Sequence, residues 1–154
     1  MPLASGIPAP DFELQDETET IRRLSDYRGK AVVLYFYPKD DTPGCTKEAC
    51  SFRDDYSAYQ DADVVILGVS PDSPKSHAKF KAKFELPFPL LADEEHKVCE
   101  LYDVWGKKKF MGREYMGVLR TTYLIDAEGQ ITHVFEDVKP ADHSAEILSA
   151  LGIG

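Results

Sequence analysis

The chain has 154 residues, of which 43% are apolar, and its formal net charge is −9 at pH 7. This length and composition suit one domain, residues 1–154, with a single sizeable core. The negative charge argues against nucleic acid or an anionic membrane surface as partner. No apolar run approaches the ~18 residues of a membrane-spanning helix. The N-terminal residues lack a basic region followed by an apolar one, so we expect no signal peptide.

The cysteine count restricts the class of protein further. Three cysteines, Cys45, Cys50 and Cys99, are too few and odd in number for a secreted disulfide scaffold. In a reducing compartment, which we expect to be the cytoplasm, a closely spaced pair is typical of a catalytic or metal-binding site rather than a static crosslink.

The first third of the chain predicts strands. Residues 12–15 and 20–24 are short candidates separated by an acidic turn, which indicates a hairpin at the edge of a sheet. Residues 31–37 are almost continuously apolar, and so are residues 64–69. Such runs are typical of strands buried on both faces.

Helices are expected after these strands. The stretch that follows Pro43 has an amphipathic spacing of three to four residues, given by Glu48, Ala49, Phe52, Tyr56 and Tyr59. Ser73 and Pro74 predict the N-cap and first turn of a second helix. Asp93 and Glu94 would cap a short helix that runs to residue 102. Asp142 starts the last helix, which ends near Gly152.

The remaining segments complete the fold class. Residues 90–92 predict a short strand, and residues 104–116 mix lysine, glycine and aromatics, which predicts a loop. Residues 121–125 and 131–135 predict two strands joined by a hairpin turn. The order predicts an α/β fold in which a central mixed β-sheet, with an N-terminal β-hairpin, carries helices on both faces.

Cys45 is expected in the first turn of the helix that follows Pro43 and Gly44. Unpaired backbone N–H groups there carry partial positive charge, which stabilises a thiolate over a thiol. Thr42 lies three residues earlier, and its hydroxyl is in reach of the Cys45 sulfur or of a substrate oxygen. The alternative is that Cys45 is a small buried apolar residue, as free cysteines often are.

Cys50 lies five residues after Cys45. In an unbroken α-helix this spacing corresponds to about 7.5 Å of rise and about 140° of rotation, so the Cα atoms lie roughly 8–9 Å apart. A disulfide requires about 4.4–6.8 Å. The two thiols can therefore pair only if the helix start unwinds. The residues alone leave open whether they pair or whether Cys50 faces the core and never meets Cys45.

A metal site is not predicted. Two cysteines five apart do not form a zinc-binding spacing with the scattered histidines, which are His77, His96, His133 and His143. We expect these histidines to be exposed rather than catalytic, and we expect no cofactor. Cys99 stands alone and is expected to be buried or incidental.

Arg120 directly precedes the strand at 121–125. A guanidinium directed inward from a strand start can neutralise a thiolate and donate hydrogen bonds to an oxyanion. The opposing interpretation is a solvated surface arginine. The basic cluster at residues 107–109 is expected to lie in the exposed loop.

Several motifs resemble the peroxiredoxin family. The segment from Pro38 to Cys45, PKDDTPGC, is similar to the family's active-site pattern P-x-x-x-T-x-x-C. Its extension TKEAC, which ends at Cys50, resembles the bacterioferritin comigratory protein (PrxQ) branch. The segment GVLRTTYLID, which contains Arg120, and the opening GIPAPDF are also similar to that branch. The resemblance covers nearly the whole chain.

This resemblance implies a thioredoxin-like fold and a thiol peroxidase that reduces hydrogen peroxide and organic hydroperoxides. Cys45 matches the peroxidatic cysteine and Cys50 the resolving one. Thr42 and Arg120 match the residues that polarise the peroxide. Pro38 matches the residue that shields the pocket, where Gly44 is also placed.

The resemblance also implies partners. We expect an intramolecular disulfide between Cys45 and Cys50, a dithiol reductant such as thioredoxin, and a monomer. Two other functions remain open: a disulfide reductase on the same fold, which the absence of a C-x-x-C motif argues against, and a non-enzymatic redox sensor.

Overall fold

The central strand of the sheet is apolar on both faces, as its sequence requires. The computed structural model describes residues 3–153. In chain order its elements are β1 (Glu13–Gln15), β2 (Ile21–Arg23), a 3₁₀ helix (Leu24–Tyr27), β3 (Ala31–Phe36), α1 (Pro43–Asp54), α2 (Tyr56–Asp61), β4 (Val64–Ser70), α3 (Pro74–Phe84), β5 (Leu90–Ala92), α4 (Lys97–Leu101), β6 (Trp105–Phe110), β7 (Arg113–Val118), β8 (Thr121–Ile125), β9 (Ile131–Phe135) and α5 (His143–Leu151).

Seven strands form the main sheet, in the order β2-β1-β5-β4-β3-β8-β9. The pairs β3–β4 and β4–β5 are parallel, because each is connected by a helical crossover. The other neighbouring pairs are antiparallel. The sheet is therefore mixed, with the N-terminal hairpin β1–β2 at one edge and the hairpin β8–β9 at the other, as the sequence predicts.

Two apolar cores cover the two faces of this sheet. Val32, Leu34 and Phe36 of β3 point into one core, which also holds residues of the N-terminal segment and of α4. The alternate residues Val33 and Tyr35 point into the other, where α1, α2, α3 and α5 pack. The predicted α/β architecture with helices on both faces is confirmed. None of the described helices is long and apolar enough to cross a membrane.

The cap predictions are confirmed for Ser73 and for Asp93, but not for Glu94, which was predicted beside Asp93. The Ser73 hydroxyl accepts a hydrogen bond from the Ser76 N–H at 3.1 Å, and Pro74 begins α3. The Asp93 carboxylate accepts hydrogen bonds from the N–H groups of Val98 and Cys99, although α4 itself begins only at Lys97. Both side chains satisfy N–H groups that have no partner inside the helix.

The predicted loop at 104–116 is wrong. This segment forms the antiparallel hairpin β6–β7, a separate two-stranded sheet. Met111 and Gly112 both have positive φ, 52° and 79°, and form its two-residue turn. Positive φ at both central positions is typical of the type I′ turn that matches strand twist. The segment has no apolar alternation because much of the hairpin is exposed, so the usual strand pattern is missing.

Two further expectations need correction. The helix after Pro43 is not continuous to Tyr59, because it breaks at Asp55 between α1 and α2. The expectation that the histidines are exposed is wrong for His77 and His143, which are buried. Each of these two rings has hydrogen-bond partners at both nitrogens, which allows burial without an unpaired polar group.

Tyr35 and Tyr37 form a matched pair for testing the core. Both are almost completely buried, and their rings stack at 5.4 Å. The Tyr37 hydroxyl donates to Asp40 at 2.6 Å, whereas the Tyr35 hydroxyl has no partner among the described residues. Since a buried unpaired hydroxyl costs free energy, we expect Tyr35→Phe to raise the free energy of unfolding by about 1 kcal/mol.

Tyr37→Phe is the control, and it should lower the free energy of unfolding by about 1–2 kcal/mol because it removes the donor to Oδ1 of the buried Asp40. Urea denaturation of both variants measures these changes. Equal destabilisation by Tyr35→Phe and Tyr37→Phe would contradict this expectation, because it would mean that the Tyr35 hydroxyl also makes a hydrogen bond in the folded protein.

Candidate active site

Buried polar groups hold the loop that joins β3 to α1. The Asp40 N–H donates to Asp72 Oδ2 at 2.8 Å, and Asp40 Oδ2 lies 2.7 Å from Nδ1 of His77. The other imidazole nitrogen, Nε2, lies 2.9 Å from the Leu91 carbonyl oxygen. That oxygen can only accept, so Nε2 carries a proton. Asp40 and His77 thus connect the loop to α3 and β5.

Asp40, Asp72 and His77 are also the described residues that come nearest to a metal site. Their potential ligand atoms lie within 4.8 Å of one another. The oxygens and nitrogens concerned are engaged in hydrogen bonds that hold the loop, to each other and to the hydroxyl of Ser70. These contacts explain the cluster as a support for the loop.

Cys45 lies in the first turn of α1, as predicted, and its side chain is 1% exposed. Thr42 is the N-cap residue, but its side chain does not cap the helix. The first intrahelical hydrogen bond runs from the Thr46 N–H to the Thr42 carbonyl, at 2.8 Å. The N–H groups of Gly44 and Cys45 precede that bond and have no intrahelical acceptor. They supply the partial positive charge expected near the sulfur.

Arg120 lies between β7 and β8 and contacts Cys45 directly. Its Nη2 donates to Cys45 Sγ at 3.0 Å, and its Nη1 donates to Glu48 Oε1 at 3.1 Å. The arginine side chain is only 20% exposed. A guanidinium has a fixed planar geometry and stays charged, so this contact places one permanent cation beside the sulfur. Of the two interpretations of Arg120, the side chain has the position of the first, since it is directed inward to the sulfur and is not a solvated surface group.

Glu48 is the residue that sequence reasoning missed. It was counted on the apolar face of α1, and its carboxyl group is indeed buried there. Burial raises the pKa of Glu48 to about 7, and the charge and hydrogen bond of Arg120 oppose this shift only in part. Its Oε2 has no partner among the described residues. A carboxylate on an otherwise apolar helix face, one turn after Cys45, was the signal in the sequence.

Gly44 gives Arg120 the space to reach the sulfur. A Cβ atom at Gly44 would lie 2.8 Å from Arg120 Nη2, closer than side chains tolerate. The glycine at this position therefore leaves room for the guanidinium. This observation gives Gly44 a steric reason to stand in the site, besides its place in the turn into α1.

Pro38 and Thr42 line a groove of about 380 Å³ that also borders the hairpin β6–β7. The Thr42 hydroxyl donates to the Lys39 carbonyl oxygen at 2.9 Å, so its single proton is not directed at Cys45. Thr42 lies at the start of α1, as expected, but its hydroxyl contacts the Lys39 carbonyl and not the Cys45 sulfur. A larger groove, of about 570 Å³, runs along α3 and does not border Pro38 or Thr42.

Cys50 lies in the same unbroken helix as Cys45, and all three cysteines are free thiols. Cys50 is half-buried, and burial raises the pKa of its thiol. Cys99 is buried in the core on the opposite face of the sheet from Cys45. Burial raises the pKa of Cys99 still further, and Asp93 adds to this rise. Cys99 is thus buried, as expected, and the sheet separates it from Cys45.

The raised pKa of Glu48 predicts a pH-dependent contribution to stability. A carboxyl whose pKa is higher in the folded than in the unfolded state loses stability as pH rises from about 4.5 to about 7. Glu48→Gln keeps an acceptor for Arg120 but cannot ionise. We expect wild type to become less stable relative to Glu48→Gln over that pH interval, by up to about 3 kcal/mol.

Denaturant unfolding of both proteins at several pH values measures this difference. Glu114→Gln, at an exposed position on β7, is the control and should show no comparable trend. A stability difference between wild type and Glu48→Gln that stays constant between pH 4.5 and pH 7 would contradict the shifted ionisation of Glu48.

The chain is similar to known proteins over nearly its whole length. Residues 5–134 match the AhpC/TSA family. The chain is 55% identical to peroxiredoxin Bcp of Bacillus subtilis (strain 168) over 152 residues, covering 98% of this chain and 96% of the relative. It is 46% identical to peroxiredoxin Bcp of Escherichia coli (strain K12) over 150 residues, covering 97% and 96%.

Solved structures give the same result. The bacterioferritin comigratory protein of Xanthomonas campestris, studied for alkyl peroxide reduction activity, superposes with a TM-score of 0.90 at 37% identity, covering 97% of this chain and 98% of that one. PrxQ of Xylella fastidiosa gives a TM-score of 0.92 at 34% identity, covering 97% and 96%. The expected thioredoxin-like fold is confirmed. The chain therefore belongs to the AhpC/TSA family and to its peroxiredoxin Bcp (PrxQ) branch.

Proposed function

We propose that this protein is a thiol peroxidase in which Cys45 attacks the peroxide, Cys50 resolves the product and a dithiol protein restores both thiols. The observation that carries this proposal is the 3.0 Å contact between Arg120 Nη2 and Cys45 Sγ. A permanent cation and two helix N–H groups without an intrahelical acceptor lie beside the buried sulfur, and positive charge of this kind activates a cysteine as a nucleophile. The family relation supports the activity, and the geometry supports the roles of the residues.

In the first step the Cys45 thiolate attacks the terminal oxygen of HO–OR, where R is hydrogen or an organic group. The O–O bond breaks, the sulfur becomes a sulfenic acid, and RO⁻ departs. Arg120 stabilises the negative charge that spreads over the breaking bond. The Thr42 hydroxyl now donates to Lys39 at 2.9 Å, and we propose that it turns to the peroxide when substrate arrives. Pro38 shields the groove from water.

The second step needs a change of backbone. Cys45 and Cys50 lie in one intact helix, in which residues five apart are separated by roughly 8–9 Å between Cα atoms. This exceeds the span of a disulfide. We propose that the start of α1 unwinds, that the Cys50 thiol attacks the sulfenic sulfur, and that water leaves as the disulfide forms. Unwinding would also expose Cys50, whose burial otherwise disfavours its thiolate.

The cycle closes when a dithiol protein, which we propose to be thioredoxin, reduces the disulfide by exchange. An intramolecular disulfide needs no second subunit, so we propose that residues 1–154 work as a single-domain monomer in the reducing cytoplasm. No step requires a metal or an organic cofactor.

Cysteine substitutions separate the two steps. Cys45→Ser should abolish peroxide consumption, because no other described thiol lies beside Arg120. Cys50→Ser should still form one sulfenic acid per chain but lose most thioredoxin-driven turnover. Cys99→Ser is the matched control and should keep turnover near wild type. A peroxide-consumption assay with thioredoxin and its reductase, followed by intact-mass and peptide mapping, measures all three.

Substantial turnover in Cys45→Ser would refute the proposed nucleophile. A Cys45–Cys99 bond in the oxidised protein would refute the choice of Cys50. Stoichiometric oxidation without turnover in the complete thioredoxin system would indicate a redox sensor instead. Efficient reduction of insulin by the protein would indicate a disulfide reductase.

A further inference from the structure

Lys108, on β6, is held over the groove that borders Thr42. Its Nζ donates to the Val118 carbonyl oxygen at 2.9 Å, so the side chain runs along the hairpin face. Gly117 leaves room for the Lys108 side chain, because a Cβ atom at this position would lie 3.2 Å from Cδ of Lys108. Lys108 is half-buried and lines the same groove as Pro38 and Thr42.

The neighbouring lysines on β6 have different surroundings. Lys107 and Lys109 are exposed, and Lys109 lies 3.8 Å from Glu114 across the hairpin. Alternation along a strand places these two side chains on the face opposite to Lys108. The hairpin thus presents one lysine, of three in succession, to the groove. If these lysines served only to make the surface basic, none of them would need to face the groove.

The charged groups around Lys108 favour an ammonium that gives up a proton readily. Burial and the positive charge of Arg120 lower the pKa of Lys108, and the negative charge of Cys45 opposes this in part. Lys39 and Tyr115 also line the groove. The interaction with both Arg120 and Cys45 shows that the ammonium lies within electrostatic range of the reacting sulfur.

The proposed reaction leaves a specific need unmet. When the thiolate takes the terminal oxygen of HO–OR, the departing RO⁻ is a strong base that requires a proton. Arg120 cannot supply one, because a guanidinium stays protonated in proteins. A threonine hydroxyl is a very weak acid, so Thr42 can donate a hydrogen bond to the peroxide but cannot supply the proton. Lysine is an established general acid when its environment is tuned.

We propose that Lys108 is a further catalytic residue, whose ammonium group protonates the departing oxygen as the O–O bond breaks. This inference rests on the peroxidase function proposed above. The Cys45 sulfur bonds to the terminal oxygen, which keeps its hydrogen. The electron pair of the O–O bond stays on the RO oxygen, which takes a proton from Lys108 and leaves as ROH. The neutral amine of Lys108 regains a proton from water at the open side of the groove.

The test compares peroxides whose leaving groups differ in basicity. tert-Butyl hydroperoxide releases an alkoxide, which needs a proton. Peracetic acid releases acetate, which is stable without one at neutral pH. We expect Lys108→Met to slow sulfenic acid formation with tert-butyl hydroperoxide by about 10²-fold, the lower end of the range typical of general acid catalysis. The rate with peracetic acid should fall far less.

Lys108→Arg separates charge from proton donation, since it keeps the cation but cannot give up a proton. It should lose the alkyl hydroperoxide rate as Lys108→Met does, and it provides the test if the methionine variant fails to fold. Lys107→Met is the control on the exposed face and should retain wild-type rates with both peroxides. Stopped-flow measurements of single oxidation on the full chain give each rate.

Equal losses with the two peroxides, or no loss with either, would overturn the role of Lys108. So would a full alkyl hydroperoxide rate in Lys108→Arg, because this would assign the effect to charge alone. A wild-type protein that reacts with neither peroxide would refute the peroxidase function itself. This outcome is distinct from a selective failure of the Lys108 variants.

Discussion

The geometry of the candidate site depends on one guanidinium, which contacts two residues of α1. Arg120 donates through Nη2 to the Cys45 sulfur and through Nη1 to the buried Glu48 carboxylate, at 3.0 and 3.1 Å. The arginine precedes β8, whereas the other two residues belong to α1. The contact therefore requires α1 and β8 to keep a fixed position relative to each other. The packing of α1 on the sheet provides this. Glu48 fixes the plane of the fork, which a single hydrogen bond to sulfur would not do.

The fold supports this contact while leaving the beginning of α1 able to open. Asp40 and His77 anchor the preceding loop through buried hydrogen bonds to α3 and β5. By contrast, the side chain of the N-cap residue, Thr42, does not cap the first turn of α1. An uncapped helix end is less stable than a capped one by about 1 kcal/mol. The rigid loop and the weaker helix start together suit the proposed cycle, in which Cys45 is first presented to substrate and then released to pair with Cys50.

The sequence predicts the main sheet well because its strands follow simple rules. Residues 31–37 are continuously apolar since β3 is buried on both faces, and the turn at 126–129 marks the hairpin β8–β9. The hairpin β6–β7 was missed because its strands are largely exposed and lack an apolar face, so only the Met111–Gly112 turn could reveal it. Buried His77 was missed for a related reason, since its partners Asp40 and Leu91 are distant in sequence.

Part of the candidate site was predictable from the sequence, but Glu48 and the contacts between the residues were not. Cys45, Thr42 and Arg120 stand in motifs that resemble a known family, whereas spacing does not reveal that Arg120 binds Glu48 as well as the sulfur. The most direct measurement is the rate of single sulfenic acid formation in Arg120→Lys, which keeps a cation but loses the fork. We expect this rate to fall by about 10²-fold. A rate within about twofold of wild type would contradict it, because a cation of any geometry would then suffice.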